Sequence, residues 1–65
     1  MSYAKLRGKI KEVYGTNNAF AESMGMNIGS ISAKLNHKTD WKREEIEKAC
    51  KLLGIKIEDV WQYFF

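Results

Sequence analysis

The chain has no proline, one cysteine and one histidine in 65 residues. A single cysteine excludes a disulfide within the chain, and one histidine beside it supplies no zinc set of the usual kind. No run approaches the roughly 20 apolar residues that cross a bilayer. The opening MSYAKLRGK lacks the apolar centre of a secretory signal. A reduced, cytoplasmic protein with no membrane partner is the expectation. Charge of one sign is scarce too, since 11 Lys and Arg against 8 Asp and Glu leave a net +3. That excess permits a polyanionic partner without requiring one. The absence of proline fits short helices joined by tight turns.

What is present argues for a folded chain: 45% of residues are hydrophobic, with two Trp, three Tyr and three Phe. One domain over residues 1–65 is expected, and a domain this small buries only about 60% of its unfolded surface. An enclosed active site would use up most of such a core. Paired carboxylates, a Cys/His arrangement and a Gly-rich phosphate loop are all missing, so neither an enzyme, a cofactor nor a small-molecule substrate is expected.

Between Tyr3 and Tyr14 the residues Leu6, Ile10, Val13 and Tyr14 fall at i, i+4, i+7 and i+8, predicting a helix with one buried stripe. Lys5, Lys9 and Lys11 take the solvated side. Gly8 costs such a helix roughly 1 kcal/mol against Ala, and a close approach by another backbone is expected there. Gly15 ends the helix, and Thr16 or Asn17 caps the next one.

The stretch NNAFAESMGMNIGSISAKLN, residues 17–36, organises the rest. Its spacing gives one amphipathic helix with Phe20, Ala21 and Met24 inward, the turn Gly25-Met26-Asn27, and a second helix with Ile28, Ile31 and Leu35 inward. Two short helices around such a turn describe a helix-turn-helix. Ala21 sits where the helices cross, Gly25 supplies the left-handed residue, and Asn27 caps the second helix. The polar HKTD is then a loop, and Trp41 seals the core beside Leu35 and Ile46. The next helix, Lys42 to Leu53, turns Ile46, Ala49, Cys50 and Leu53 inward, which makes Cys50 a buried thiol. Its start is open between Asp40, a good N-cap by chemistry, and Lys42, which has Glu45 three residues on; Gly54 is its stop. Glu58 to Gln62 make a short last helix with Val60 and Trp61 inward. Tyr63-Phe64-Phe65 either fold back on the core or meet a second subunit. The predicted fold class is all-α, a compact bundle of about five short helices with a helix-turn-helix at the second and third.

The Ala21-x-x-x-Gly25 pair, Ile31 six residues beyond Gly25, and Asn36 just after the second helix resemble the DNA-binding domains of phage repressors and Cro proteins, over helices one to four. The later run from Lys34, KLNHKTDWKREEIEKACKLLGIKIEDVWQYFF, looks like small phage-encoded regulators of that class. In many relatives the apolar residue after Ile31 comes three positions on. This chain has Lys34 there, and Leu35 takes the inward role.

The resemblance implies a sequence-specific duplex-DNA-binding regulator of the Cro type. Base contacts would come from Asn27, Ile28, Gly29, Ser32 and Ala33. Phosphate contacts would come from Asn17, Asn18, Ser30, Lys34, Asn36 and Lys38, with His37 and Lys42 nearby. Among the base-facing positions Asn27 alone offers a bidentate side chain, and on a plainer reading this helix merely completes a bundle. A homodimer would set two recognition helices about 34 Å apart, joined through Trp61, Tyr63, Phe64 and Phe65 in the segment 57–65. The alternative is a protein-binding module of the same fold, antitoxin-like or an anti-repressor, that does not bind DNA by itself.

Overall fold

The computed structural model describes residues 3–65, and among them the fold is all-helical. Five α-helices follow in order: α1 (Ala4–Tyr14), α2 (Asn17–Met24), α3 (Ile28–Leu35), α4 (Arg43–Leu53) and α5 (Val60–Phe64), the last entered through a 3-10 turn at Ile57–Asp59. Helix α2 lies at the centre and packs on α1, α3 and α4, while α1 also meets α4 and α5. Phe20, Leu6, Ile10, Ile31 and Leu35 are fully buried where these helices converge.

The helix ends follow from local chemistry. Thr16, not Asn17, caps α2: its hydroxyl accepts the Ala19 N–H at 3.1 Å. Gly25 closes α2 in the left-handed conformation, φ 72°. The Met26 N–H then reaches back to the Ala21 carbonyl at 3.0 Å and the Gly25 N–H to that of Glu22 at 3.1 Å, the paired bonds of a Schellman stop. Ala21 is 2% exposed at this crossing, so the expected clearance is real. Helix α4 is capped at Lys42 rather than Asp40. Its start is held by half of a capping box, with Glu45 accepting the Lys42 N–H at 2.8 Å, since the Lys42 side chain has no acceptor to return the bond.

Four expectations fail here. Ile28, expected inward on α3, is 40% exposed, being the first residue of that helix, a turn before the buried Ile31. Val13 is 45% exposed, so the buried face of α1 is narrower than its periodicity implied and is carried by Leu6 and Ile10. Gly8 is exposed and has no backbone against it; a Cβ added there meets nothing within 4 Å. The chain end also turns differently: Phe64 is buried at 4%, Val60 and Tyr63 pack on the core, and Trp61 points outward. The cause is the 3-10 turn, whose tighter winding rotates the following helix face relative to a continuous α-helix. Trp41 does seal the core, edge-on to Phe64 with ring centroids 5.2 Å apart.

The same substitution at two glycines should have opposite effects. Gly8→Ala relieves backbone entropy in a helix interior without a clash and should raise stability by about 0.5–1 kcal/mol. Gly25→Ala forces a side chain into the left-handed region, although the nearest atom to its Cβ is a Lys48 side-chain nitrogen at 3.8 Å, and should cost about 1–2 kcal/mol. At about 4–8 °C per kcal/mol for a domain of this size, thermal melting by circular dichroism distinguishes the two signs.

Candidate functional site

The outward side of α3 is open. Asn27, Ile28 and Gly29 are exposed, and Ser30, Ser32 and Ala33 are half-buried. This surface carries one amide, two hydroxyls and small apolar groups. The amide is already engaged: Asn27 Oδ1 accepts the Ser30 N–H at 2.8 Å as the N-cap of α3. Bidentate recognition of adenine uses both the oxygen and the nitrogen of such an amide, and the cap takes up one of the two lone pairs of that oxygen. Gly29 serves the cap as well, because a Cβ there would lie 3.3 Å from Asn27 Oδ1. Asn17 and Asn18 occupy the first turn of α2, with Asn18 the more exposed.

The cations around α3 are mostly turned to internal use. Lys34, expected at a phosphate, is buried at 6%. Its Nζ pairs with Glu45 Oε1 at 2.9 Å, donates to the Asp40 carbonyl at 3.0 Å and lies 5.9 Å from the centre of the Trp41 ring. Three residues after Ile31 on a helix is an inward position, and the charge is satisfied there instead of in solvent. Asn36, also expected at a phosphate, accepts from Arg7 Nη2 at 2.9 Å through its side-chain oxygen. The same guanidinium nitrogen donates to the Leu35 carbonyl at 2.8 Å. Lys48 reaches the Met24 carbonyl at 3.2 Å, at the end of α2. Lys38, in the loop after α3, and Lys42, at the cap of α4, remain exposed.

His37 ends α3 in a way the sequence did not announce. It adopts φ 62°, and the bonds Lys38 N–H to Ala33 carbonyl, 2.8 Å, and His37 N–H to Lys34 carbonyl, 3.3 Å, repeat the Schellman pattern without a glycine. Its ring stacks on Tyr3 at 4.3 Å between centroids. Arg7 likewise gave no signal, standing in α1 as one cation among several. Lys34 did give one: it occupies the position where relatives of the resembled class carry an apolar residue.

A second surface lies at the chain end. Ile57, Trp61 and Phe65 are 72%, 70% and 56% exposed and fall four residues apart. The Trp61 and Phe65 rings touch, with centroids 4.6 Å apart. Of the four aromatic side chains expected at a subunit contact, Trp61 and Phe65 are therefore available. Phe64 is not, being part of the core, and Tyr63 is half-buried against it. Among the described residues no group of three or more His, Cys, Asp or Glu is placed to hold a metal ion, and no helix is long and apolar enough to cross a membrane. Burial pushes the Cys50 thiol up from its ordinary value, so it stays protonated near neutral pH.

Burial alone would raise the pKa of Glu45, but the Lys42 N–H and the Lys34 ammonium outweigh it and hold the carboxyl below the ordinary value of 4.5. A depressed folded-state pKa contributes stability that is present above the unfolded value and lost as pH falls through the folded one. The melting temperature of the native chain should therefore drop more steeply than that of Glu45→Gln as pH is lowered through and below 4.5, with the two curves converging at the acid end. Asn27→Ala should cost about 1 kcal/mol through its lost cap, measured by urea unfolding without any ligand.

Comparison with known proteins bears on these surfaces. No curated protein matches the chain. Among solved structures it is similar to the solution structure of the modulator of repression (MOR) of the temperate bacteriophage TP901-1 from Lactococcus lactis. The identity is 44% and the TM-score 0.89, covering 98% of this chain and 86% of that one. The likeness is thus to a small helical regulatory protein of a phage. A family model described as "Protein of unknown function (DUF739)" matches residues 1–65, and the chain belongs to that family.

Proposed function

We propose that the chain is a regulator of phage repression, and that it acts by gripping a protein of the repression machinery through Ile57, Trp61 and Phe65. The observation that carries this reading is the exposure of those three side chains. They leave on the order of 400 Å² of apolar surface in water, given the usual area of aromatic side chains. The Trp61 and Phe65 rings touch; a solvated aromatic pair on so small a domain supports an interaction site, and Trp is among the residues that most often dominate a protein interface. The similarity to a modulator of repression supports a regulator in such a circuit.

A second reading has its own support. The spacing of α2, the turn at 25–27 and α3 is that of a helix-turn-helix, and exposed Lys38 and Lys42 flank the outward side of α3. In that reading the chain binds duplex DNA in a bacterial host's cytoplasm, as a Cro-like homodimer joined at the aromatic stripe. Its base contacts would be few, each worth about 1–3 kcal/mol. The chemistry of α3 favours the protein partner: Lys34 has an internal partner, and the Asn27 oxygen already serves as the cap.

Titration of the cognate phage repressor, followed by calorimetry, separates the two. Trp61→Ala and Phe65→Ala should each weaken the complex by about tenfold or more, near 1.4 kcal/mol, while Lys38→Glu leaves it within about twofold. Absence of a complex, joined to steeply salt-dependent binding of random duplex DNA that Lys38→Glu weakens, would favour the DNA reading instead.

A further inference from the structure

Lys34 is the one cation within α3, and it is held away from the surface that faces outward. Among the described residues its ammonium lies beside the Glu45 carboxylate at 2.9 Å, the Asp40 carbonyl at 3.0 Å and the Trp41 ring at 5.9 Å. Only the first carries a full opposite charge. The Lys34 side chain keeps 8% exposure. Lys34 lines an open groove of about 690 Å³, together with Ser30 and Ala33 of α3 on one wall and Asp40, Lys42 and Glu45 on the other. A flexible four-carbon stem carries a lysine charge several ångströms without backbone movement. Lys38 and Lys42, in the loop after α3 and at the cap of α4, are exposed, and Lys42 lines the same groove as Lys34, so a phosphate entering that groove would meet Lys42 beside Lys34.

We infer that Glu45 is an intramolecular competitor for phosphate, and that Lys34 is a latent phosphate contact which this carboxylate keeps out of use. The inference rests on the duplex-DNA reading and adds a restraint to it. A phosphate oxygen and a carboxylate oxygen offer an ammonium the same kind of charge-assisted bond. While Glu45 is ionised, moving Lys34 to DNA exchanges one such bond for another and gains little. With the charge at 45 removed, the exchange favours the phosphate. Glu45 also accepts the Lys42 N–H at 2.8 Å to start α4. Both bonds go to the same oxygen, Glu45 Oε1, which glutamine keeps as an acceptor, so Glu45→Gln removes the charge that holds Lys34 while the start of α4 stays in place.

The test measures random duplex DNA affinity against salt for the native chain, Glu45→Gln, Glu44→Gln and the double variant Lys34→Gln/Glu45→Gln. Glu44 is exposed on the same helix turn, so its substitution makes the same change in net charge without touching Lys34. Glu45→Gln should bind about three- to tenfold more tightly at 50 mM salt and steepen the slope of log affinity against log salt by about 0.9, the value of one added phosphate contact. Glu44→Gln should show neither change to that degree, and the double variant should lose both. Equal behaviour of Glu45→Gln and Glu44→Gln overturns the proposal, as does a gain that survives loss of Lys34. Binding by the native chain with no such difference overturns the proposal alone, whereas no binding by any of the four overturns the DNA reading and the proposal with it. A readout that needs no variant is the side-chain ammonium signal of Lys34 by NMR. It should stay protected when duplex is added to the native chain, and its release by DNA would contradict a restraining role for Glu45.

Discussion

The ammonium of Lys34, held by Glu45, the Asp40 carbonyl and Trp41, ties the end of α3 to the start of α4, two helices that otherwise each pack on α2. A buried lysine is tolerated only with a partner and with its protons satisfied. Meeting that condition here joins the end of α3, the loop after it and the first turn of α4 in one network. The same contact removes from the surface the charge that a groove-reading helix would present. Arg7 and Lys48 act in parallel at the carbonyl ends of α3 and α2, where cationic donors complement the negative end of a helix. A modest net charge of +3 is thereby reduced further as a resource for binding a polyanion.

The two candidate surfaces differ in kind. The outward side of α3 is small-residue and nearly neutral, with its best hydrogen-bonding side chain occupied as a cap. The stripe at the chain end is large, aromatic and solvated. Apolar area left in water on a domain of this size is unfavourable to carry unless something covers it, whereas a neutral polar helix face carries no such cost. That asymmetry is what favours the chain end in the reading proposed above.

Much of the fold was legible because it rests on periodicity and on residues with few conformational alternatives. Leu6 and Ile10, the Phe20–Ala21–Met24 face, Ile31 with Leu35, and Ala49 with Cys50 and Leu53 each follow a helical spacing that the core honours. Gly15, Gly25 and Gly54 all stop helices at positive φ. What escaped lies where sequence offers two equally good answers. Lys34 has the spacing of a core residue and the chemistry of a surface one, and only the carboxylate of Glu45, eleven positions on, decides between them. Over residues 57–65 apolar side chains occur on every side, so no stripe is marked. The 3-10 turn at Ile57–Asp59 then chose Val60, Tyr63 and Phe64 for the core over Trp61. The left-handed His37 carries no glycine to announce it.

Amide chemical-shift mapping of the labelled chain, with the cognate repressor added, tests the central claim most directly. Perturbation and slowed hydrogen exchange concentrated over residues 57–65, with 27–33 unmoved, is the result predicted. Perturbation centred on 27–33, leaving Trp61 and Phe65 as they are in the free chain, would contradict it.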